Sequence, residues 1–256
     1  MLRNFLSKSA AAPVAYKWST LLLVPLWVLG GFAISAIATK LLVELLVVIG
    51  IPLVSINQAI FSLVVSVVVY SLTLGCVMGL PYLIKKQPVT LSLLGLTRLP
   101  SWKDLGLAPL GFVMYFIATT VVMITVSQLV PSLNLDEVQN VGFDKITEQY
   151  QYVLAFLTLV VIAPVAEEVL FRGYLYGKLR GAAPTWVAIL ATSLLFGLVH
   201  FQWNVGIDVF ILSIVLCSLR EVTGSINAGI LLHMIKNGVA FYFLFINPTL
   251  LTTLGG

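Results

Sequence analysis

Long stretches of this chain hold almost no polar residue, and the breaks between them are short. Seven apolar segments stand out, at residues 18–38, 59–84, 105–130, 152–166, 185–200, 205–219 and 226–246. An apolar run of about 20 residues is the length of a helix that crosses about 30 Å of hydrocarbon. A membrane β-barrel would need shorter segments of alternating hydrophobicity, and these runs are continuous. The pattern predicts an all-α fold, a polytopic membrane helix bundle of about seven to eight transmembrane helices. The uncertain stretch is 41–54, which is apolar but contains Glu44 and Pro52. It reads as an eighth span, or as a re-entrant or interfacial piece.

Composition sharpens this picture. Of 256 residues, 60% are hydrophobic and 9% charged, with a mean hydropathy of +1.07. A water-soluble domain needs far more polar surface. The net charge of +4 lies mostly in loops and speaks of membrane orientation. It gives no footprint for nucleic acid, and nothing resembles a dinucleotide or phosphate-binding loop. Cys76 and Cys217 both fall inside apolar runs and form no CxxC pair, so they read as small core residues. Trp18, Trp27, Trp102 and Trp186 fit an interfacial aromatic belt. With no internal repeat and no linker, residues 1–256 read as one integral membrane domain. Residues 1–17 are basic and lead into a long span with no clear cleavage site. They read as a retained first span, not a removed signal peptide.

Charge also suggests the orientation. Arg3, Lys8 and Lys17 precede the first span, and Lys85, Lys86, Arg98 and Lys103 lie between the second and third. Arg172, Lys178 and Arg180 follow the fourth. The loop at 131–150 instead carries Asp136, Glu137, Asp144 and Glu148 against Lys145. Basic loops stay on the cytoplasmic side. A cytoplasmic amino terminus satisfies this alternation with seven spans, and an eighth crossing at 41–54 would break it. The expected home is a prokaryotic plasma membrane.

Against this background "APVAEEVLFRGYLYGKLRG" (163–181) is anomalous. Glu167 and Glu168 stand side by side directly after an apolar run. Ionisable groups in hydrocarbon are expensive and usually have a role. Glu168 and Arg172 are four residues apart, so they share a helix face and can pair. Glu167 is turned about 100° away, free to face another surface. The only histidines, His200 and His233, lie in or at the ends of apolar segments, in Phe196-x-x-x-His200 and His233-x-x-x-Asn237. Glu167 and His200 flank the break "GAAP" (181–184) almost symmetrically. In an antiparallel hairpin turning there, each would lie about 16 positions from the turn, or about 24 Å along its helix. One tension remains: the fourth apolar run ends near Glu167, so straight upright spans would put the two residues at opposite faces. A kink at Pro164, Gly173 or Gly177 would relieve it.

These residue types suit hydrolysis. A carboxylate in a low-dielectric site is a general base for water. Histidine and asparagine donors can hold an oxyanion. Glutamate and two histidines are also the ligand types of a catalytic zinc, which makes Glu167, His200 and His233 candidate ligands for Zn2+. Either way the chemistry is hydrolysis of an acyl bond, most simply a peptide bond. Lys236 reads as a snorkelling side chain, Asp208 as a boundary residue and Glu44 as interfacial.

"EEVLFR", "FGLVH" and "HMIKN", in this order and in neighbouring spans, resemble the CPBP family of intramembrane proteases, also called type II CAAX prenyl endopeptidases or Abi proteins. The segment at 94–112 is similar to the family's lead-in, and residues 152–246 would form the motif-bearing protease core. The resemblance implies an endopeptidase acting on membrane-associated protein substrates within the lipid bilayer. Glu167 would activate water, His200 would assist, and His233 with Asn237 would bind a metal or the oxyanion. Glu168, Arg172 and Phe196 would support the site. Both zinc-dependent and metal-free glutamate mechanisms are argued for the family. Its members are linked to CAAX processing and to bacteriocin maturation or immunity. The competing class is a non-catalytic scaffold or a proton-coupled transporter whose buried Glu and His residues hold helices together or relay protons. A transporter often shows repeated halves with matched broken helices, which are not seen here.

The charge pattern makes a direct prediction. An amino-terminal tag is expected to be accessible in inside-out vesicles and protected in right-side-out ones. The reverse result would overturn the orientation.

Overall fold

The protein is described from a computed structural model. Residues 16–249 are described, apart from 87, 136, 138–140, 144 and 145. Arg3 and Lys8, and Asp136, Asp144 and Lys145 of the acidic loop, lie outside the described residues.

Eight helices and no strand make up the described chain. They are α1 (Trp18–Val48), α2 (Gln58–Ile84), α3 (Leu91–Leu94), α4 (Trp102–Leu129), α5 (Gln149–Arg180), α6 (Thr185–Leu198), α7 (Trp203–Thr223) and α8 (Asn227–Ile246). Five of them, α1, α2, α4, α5 and α8, are long and apolar enough to cross a membrane. α6 is a shorter apolar helix of 14 residues. α7 has 21 residues and carries Asp208, Arg220 and Glu221. The seven longer helices answer to the seven apolar segments, as a polytopic helical membrane bundle requires.

Two boundaries differ from the sequence reading. The first part of 41–54 is no separate span, because α1 runs on to Val48 before a left-handed turn at Gly50 ends it. Glu44 is accommodated there on the surface, facing Lys40 one turn back at 3.8 Å. The fourth apolar run does not stop near Ala166 either. α5 continues for 32 residues to Arg180, because its charges are neutralised inside the bundle. Glu167 therefore lies well within a helix. The hairpin expected at 181–184 is formed, with α6 starting after Pro184. The tension over depth is relieved because α5 runs on past Glu167 to the turn.

Lys17 N–H donates to the Ala182 carbonyl, so α1 begins at the same end of the bundle as the α5–α6 turn. At that end Arg180 pairs with Glu221 of α7 at 3.1 Å. Arg220 donates to the Ser92 and Leu93 carbonyls of α3, and Ile226 N–H to Gly95. Gly95 has a left-handed φ of 70°, and a Cβ there would collide with the Arg220 guanidinium. At the other end, the Asn204 amide at the start of α7 donates to the Glu137 carbonyl at 2.7 Å.

The bundle is apolar outside and partly polar inside. Leu22, Leu23 and Ile34 of α1 and Val113, Phe116 and Ile117 of α4 are exposed. Thr73, Glu168, Arg172, Thr192, Ser193 and Ser213 are buried. Lipid tails are as apolar as leucine, so helix association relies on close packing and interhelical hydrogen bonds instead. Gly197 and Gly206 let α6 and α7 approach backbone to backbone: a Cβ on Gly197 would lie 2.8 Å from the Gly206 carbonyl oxygen. Trp27 leaves the expected interfacial belt and donates from Nε1 to the Val77 carbonyl at 2.9 Å. That carbonyl belongs to the π-helical turn Gly75–Gly79, whose widened geometry disrupts the regular ladder. Trp18, Trp102 and Trp186 are exposed. Cys217 is buried in the core, and Cys76 is half-buried.

Candidate active site

α5 is widened on both sides of its glutamates. Leu157–Ile162 and Glu168–Leu175 are π-helical, and the α-helical stretch Ala163–Glu167 joins them. Pro164 lies in the first turn of that stretch and lacks an N–H, which suits a break in the ladder. π-Turns of this kind leave backbone groups for outside donors and often mark functional sites. Here the Asn237 side-chain amide of α8 donates to the Leu159 carbonyl at 2.8 Å.

Glu168 and Arg172 are fully buried, and Arg172 Nη1 donates to Glu168 Oε1 at 2.8 Å. The pairing suggested by their i, i+4 spacing is thus present. The guanidinium also covers the Phe196 ring, 4.2 Å from its centroid. Phe196 is fully buried and meets three more rings edge to face: Phe171 at 4.8 Å, His200 at 5.0 Å and His233 at 6.0 Å. One aromatic ring therefore carries the arginine on its face and sets the places of both histidines.

The same Glu168 oxygen reaches His233, whose Nδ1 lies 3.0 Å away. A carboxylate accepts, so a neutral imidazole here carries its proton on Nδ1 and leaves Nε2 as an acceptor. That Nε2 is 3.8 Å from Glu167 Oε2, too long for a hydrogen bond. The second oxygen of Glu167, Oε1, accepts from the Tyr70 hydroxyl of α2 at 2.6 Å. The Glu167 side chain is 18% exposed, against 0% for Glu168. The adjacent glutamates thus have different surroundings: one is sealed in an ion pair and the other is partly exposed.

His200 lies just past the end of α6. Its Nδ1 is 2.7 Å from the Phe196 carbonyl, an acceptor, so its Nε2 is left available. The ring lies within Coulombic range of Glu167, His233 and Lys236. Glu167, His200 and His233 therefore gather around Phe196. Asn237 stands one turn beyond His233 and spends an amide N–H on α5, leaving its second N–H.

Glu167 has no partner on its own helix and faces α2, where Tyr70 holds it. Two expectations need correction. Lys236 is not a snorkelling residue; its Nζ pairs with Asp208 Oδ2 at 3.3 Å, with both side chains about a fifth exposed. Asp208 is no simple boundary residue either. Its Oδ1 accepts from Tyr115 at 2.6 Å and Thr119 at 2.9 Å, both on α4. Tyr70 could have been flagged, as Asp208 was, as a polar residue interrupting an apolar run. The sequence does not say what they meet, because their partners are 97 and 93 residues away.

Among the described residues, no three His, Cys, Asp or Glu side chains form a group that could hold a metal ion. The Nδ1 atoms of both histidines and Oε1 of Glu167 are engaged, which leaves the two Nε2 atoms and Glu167 Oε2 as the donors that would face a bound zinc.

The buried pair makes a stability prediction. Arg172→Ala would leave Glu168 charged and without its cation, at a cost of about 3–5 kcal/mol. The expected result is a lower yield of folded protein and a lower melting temperature in detergent. An unchanged melting temperature would show that the pair contributes little.

Comparison with known proteins bears on residues 149–239, which match the model for type II CAAX prenyl endopeptidase, Rce1-like. An uncharacterized 24.3 kDa protein of Escherichia coli is 32% identical over 87 residues, covering 32% of this chain and 40% of that protein. The UPF0177 protein YxdF of Lactococcus lactis subsp. lactis (strain IL1403) is 32% identical over 99 residues, covering 37% of this chain and 52% of that protein. The chain thus spans about half or less of the length of these relatives. No solved structure matches. The matched stretch contains Glu167, Glu168, Arg172, Phe196, His200, His233 and Asn237, and over it the chain is similar to the Rce1-like type II CAAX prenyl endopeptidases.

Proposed function

We propose that the protein is an intramembrane endopeptidase that hydrolyses peptide bonds of membrane-associated proteins, with Glu167 as the base. The observation that carries this reading is the pairing of a half-buried carboxylate with an oriented imidazole: Glu167 Oε2 stands 3.8 Å from His233 Nε2, and Glu168 holds His233 from behind. This reading makes Glu167 and the two histidines catalytic residues, together with Asn237, and leaves Glu168, Arg172 and Phe196 as structural support.

The step follows from the acceptors available. Glu167 Oε2 and an imidazole Nε2 both accept, so they suit a water molecule that donates to each. Glu167 takes one proton as the water oxygen attacks the scissile carbonyl. The carbonyl π electrons move onto oxygen, and the second N–H of Asn237 would stabilise that charge. When the C–N bond breaks, Glu167 returns the proton to the leaving amine. Glu168 keeps the His233 ring in one tautomer and one orientation throughout. This step uses the chain's own groups alone. The similarity of residues 149–239 to the Rce1-like endopeptidases supports a CAAX-type or bacteriocin-related substrate, a protein segment presented from the bilayer.

Glu167→Gln keeps the size of the side chain but cannot accept the proton. The variant is expected to remain folded and to lose cleavage by about 10²- to 10⁴-fold. The measurement is a proteomic comparison of membranes carrying wild-type or Glu167→Gln protein, with melting temperatures of both in detergent. Persistent cleavage by the variant would sink the assignment and favour a non-catalytic scaffold or a proton-coupled transporter. A separate test concerns zinc. Chelator treatment of the purified protein is expected to leave cleavage intact, whereas loss of cleavage restored by zinc would overturn the metal-free step.

A further inference from the structure

The matched stretch begins at residue 149, yet one group in direct contact with Glu167 comes from far upstream. Tyr70 lies in the middle of α2, among valines. Its hydroxyl meets Glu167 Oε1 at 2.6 Å. Of the polar residues beside it in α2, Ser71 is exposed and Thr73 turns its hydroxyl back to the Val69 carbonyl of its own helix. Tyr70 is therefore the polar group that this part of α2 offers to the site. A tyrosine hydroxyl surrounded by apolar side chains normally finds a partner, and this one finds the proposed base.

The geometry of the two carboxylate oxygens gives this contact a consequence. Oε1 is engaged by Tyr70. Oε2 is left facing His233 Nε2 across 3.8 Å. That gap is too wide for a direct hydrogen bond. It leaves the lone pairs on both sides free for a third molecule. A glutamate side chain has three rotatable bonds, and without a tie on Oε1 the carboxylate can turn away from the imidazole. Oε2 and His233 Nε2, both acceptors, would then no longer face one and the same water molecule.

We propose that Tyr70 is a positioning residue that holds Glu167 in the open arrangement and selects Oε2 as its basic oxygen. The proposal rests on the assignment of Glu167 as the base. It adds that the site is completed by a helix outside the matched stretch. α1 supports this helix in turn, through the Trp27–Val77 hydrogen bond and the close approach of Gly31 to Val77. The amino-terminal helices thus do more than anchor the chain.

The test is Tyr70→Phe, which keeps the ring and removes only the hydroxyl. Two readouts separate this proposal from the one it rests on. The first is the infrared carboxylate band of Glu167 in ¹³C-glutamate-labelled protein, isolated by subtracting the spectrum of Glu167→Gln. It needs no substrate. The band is expected to shift in Tyr70→Phe while the melting temperature stays at the wild-type value. An unchanged band would show that the hydroxyl does not hold the carboxylate, and would overturn the proposal whatever the activity.

The second readout is hydrolysis of an internally quenched peptide carrying a farnesylated cysteine followed by three residues. The kcat is expected to fall about tenfold to a hundredfold, the size of one hydrogen bond to a charged group, with KM unchanged. A variant with wild-type kcat would overturn the proposal. A variant that loses melting temperature, with kcat and KM both impaired, would make Tyr70 merely structural and overturn it too. If wild-type protein leaves this peptide intact, CAAX-type cleavage fails as a reading, and the infrared band still decides the place of Tyr70.

Discussion

The arrangement depends on keeping one charged pair in the interior of a membrane protein. Glu168 and Arg172 have no exposed surface. Each alone would carry a desolvation cost of several kcal/mol, and the pair is tolerable only if geometry and further hydrogen bonds compensate. The structure supplies the geometry and one further hydrogen bond, from His233, and leaves Glu168 Oε2 and Arg172 Nε and Nη2 without a hydrogen-bond partner. One turn of α5 brings the groups to 2.8 Å, the Phe196 ring lies under the guanidinium, and His233 shares the carboxylate oxygen. Much else follows from satisfying that pair. α6 must place Phe196 against it, and α8 must bring His233 within reach. Helix positions that a hydrophobic effect would set in water are set here by the need to satisfy a buried charge.

That constraint also explains the division of labour between adjacent carboxylates. The two side chains leave α5 in different directions. The one aimed inward is neutralised and becomes the anchor. The one aimed toward α2 remains partly accessible and keeps an oxygen with no donor. The π-helical turns on either side of them supply a further tie, because a widened turn leaves the Leu159 carbonyl for Asn237. α8 is thereby fastened to α5 at two levels one turn apart, by His233 and by Asn237. The distance between Glu167 and His233 is held from several directions.

A second polar cluster performs a similar service for α4. Asp208 on α7 gathers Tyr115 and Thr119 from α4 and Lys236 from α8. Around it lie Leu212, Leu216 and Leu232 from α7 and α8, and Ala108 from α4. Lys236 stands one turn from His233, so this cluster braces the helix that carries the imidazole. The interior has two polar centres embedded in apolar packing, with the proposed catalytic groups beside both.

Much of this was legible in the sequence, and the limits of that legibility have a physical origin. Apolar runs of membrane length determined the helical class, because hydrocarbon leaves unpaired backbone no alternative. The four-residue spacing of Glu168 and Arg172 was enough to anticipate their pairing, because local helix geometry sets it. The break at 181–184 was enough to anticipate the α5–α6 hairpin. The end of α5 was misread for a related reason: hydropathy counts a charge as an exit from the membrane, whereas a neutralised charge can stay inside and the helix continues. Only the tertiary structure decided that Tyr70 meets Glu167, that Asp208 and Lys236 pair across α7 and α8, and that Trp27 turns inward to a carbonyl. These contacts join residues 50 to 97 positions apart in the cases of Trp27 and Tyr70. Periodicity carries information over a few helical turns. Which faces of distant helices come together depends on how all of their buried polar groups are satisfied at once.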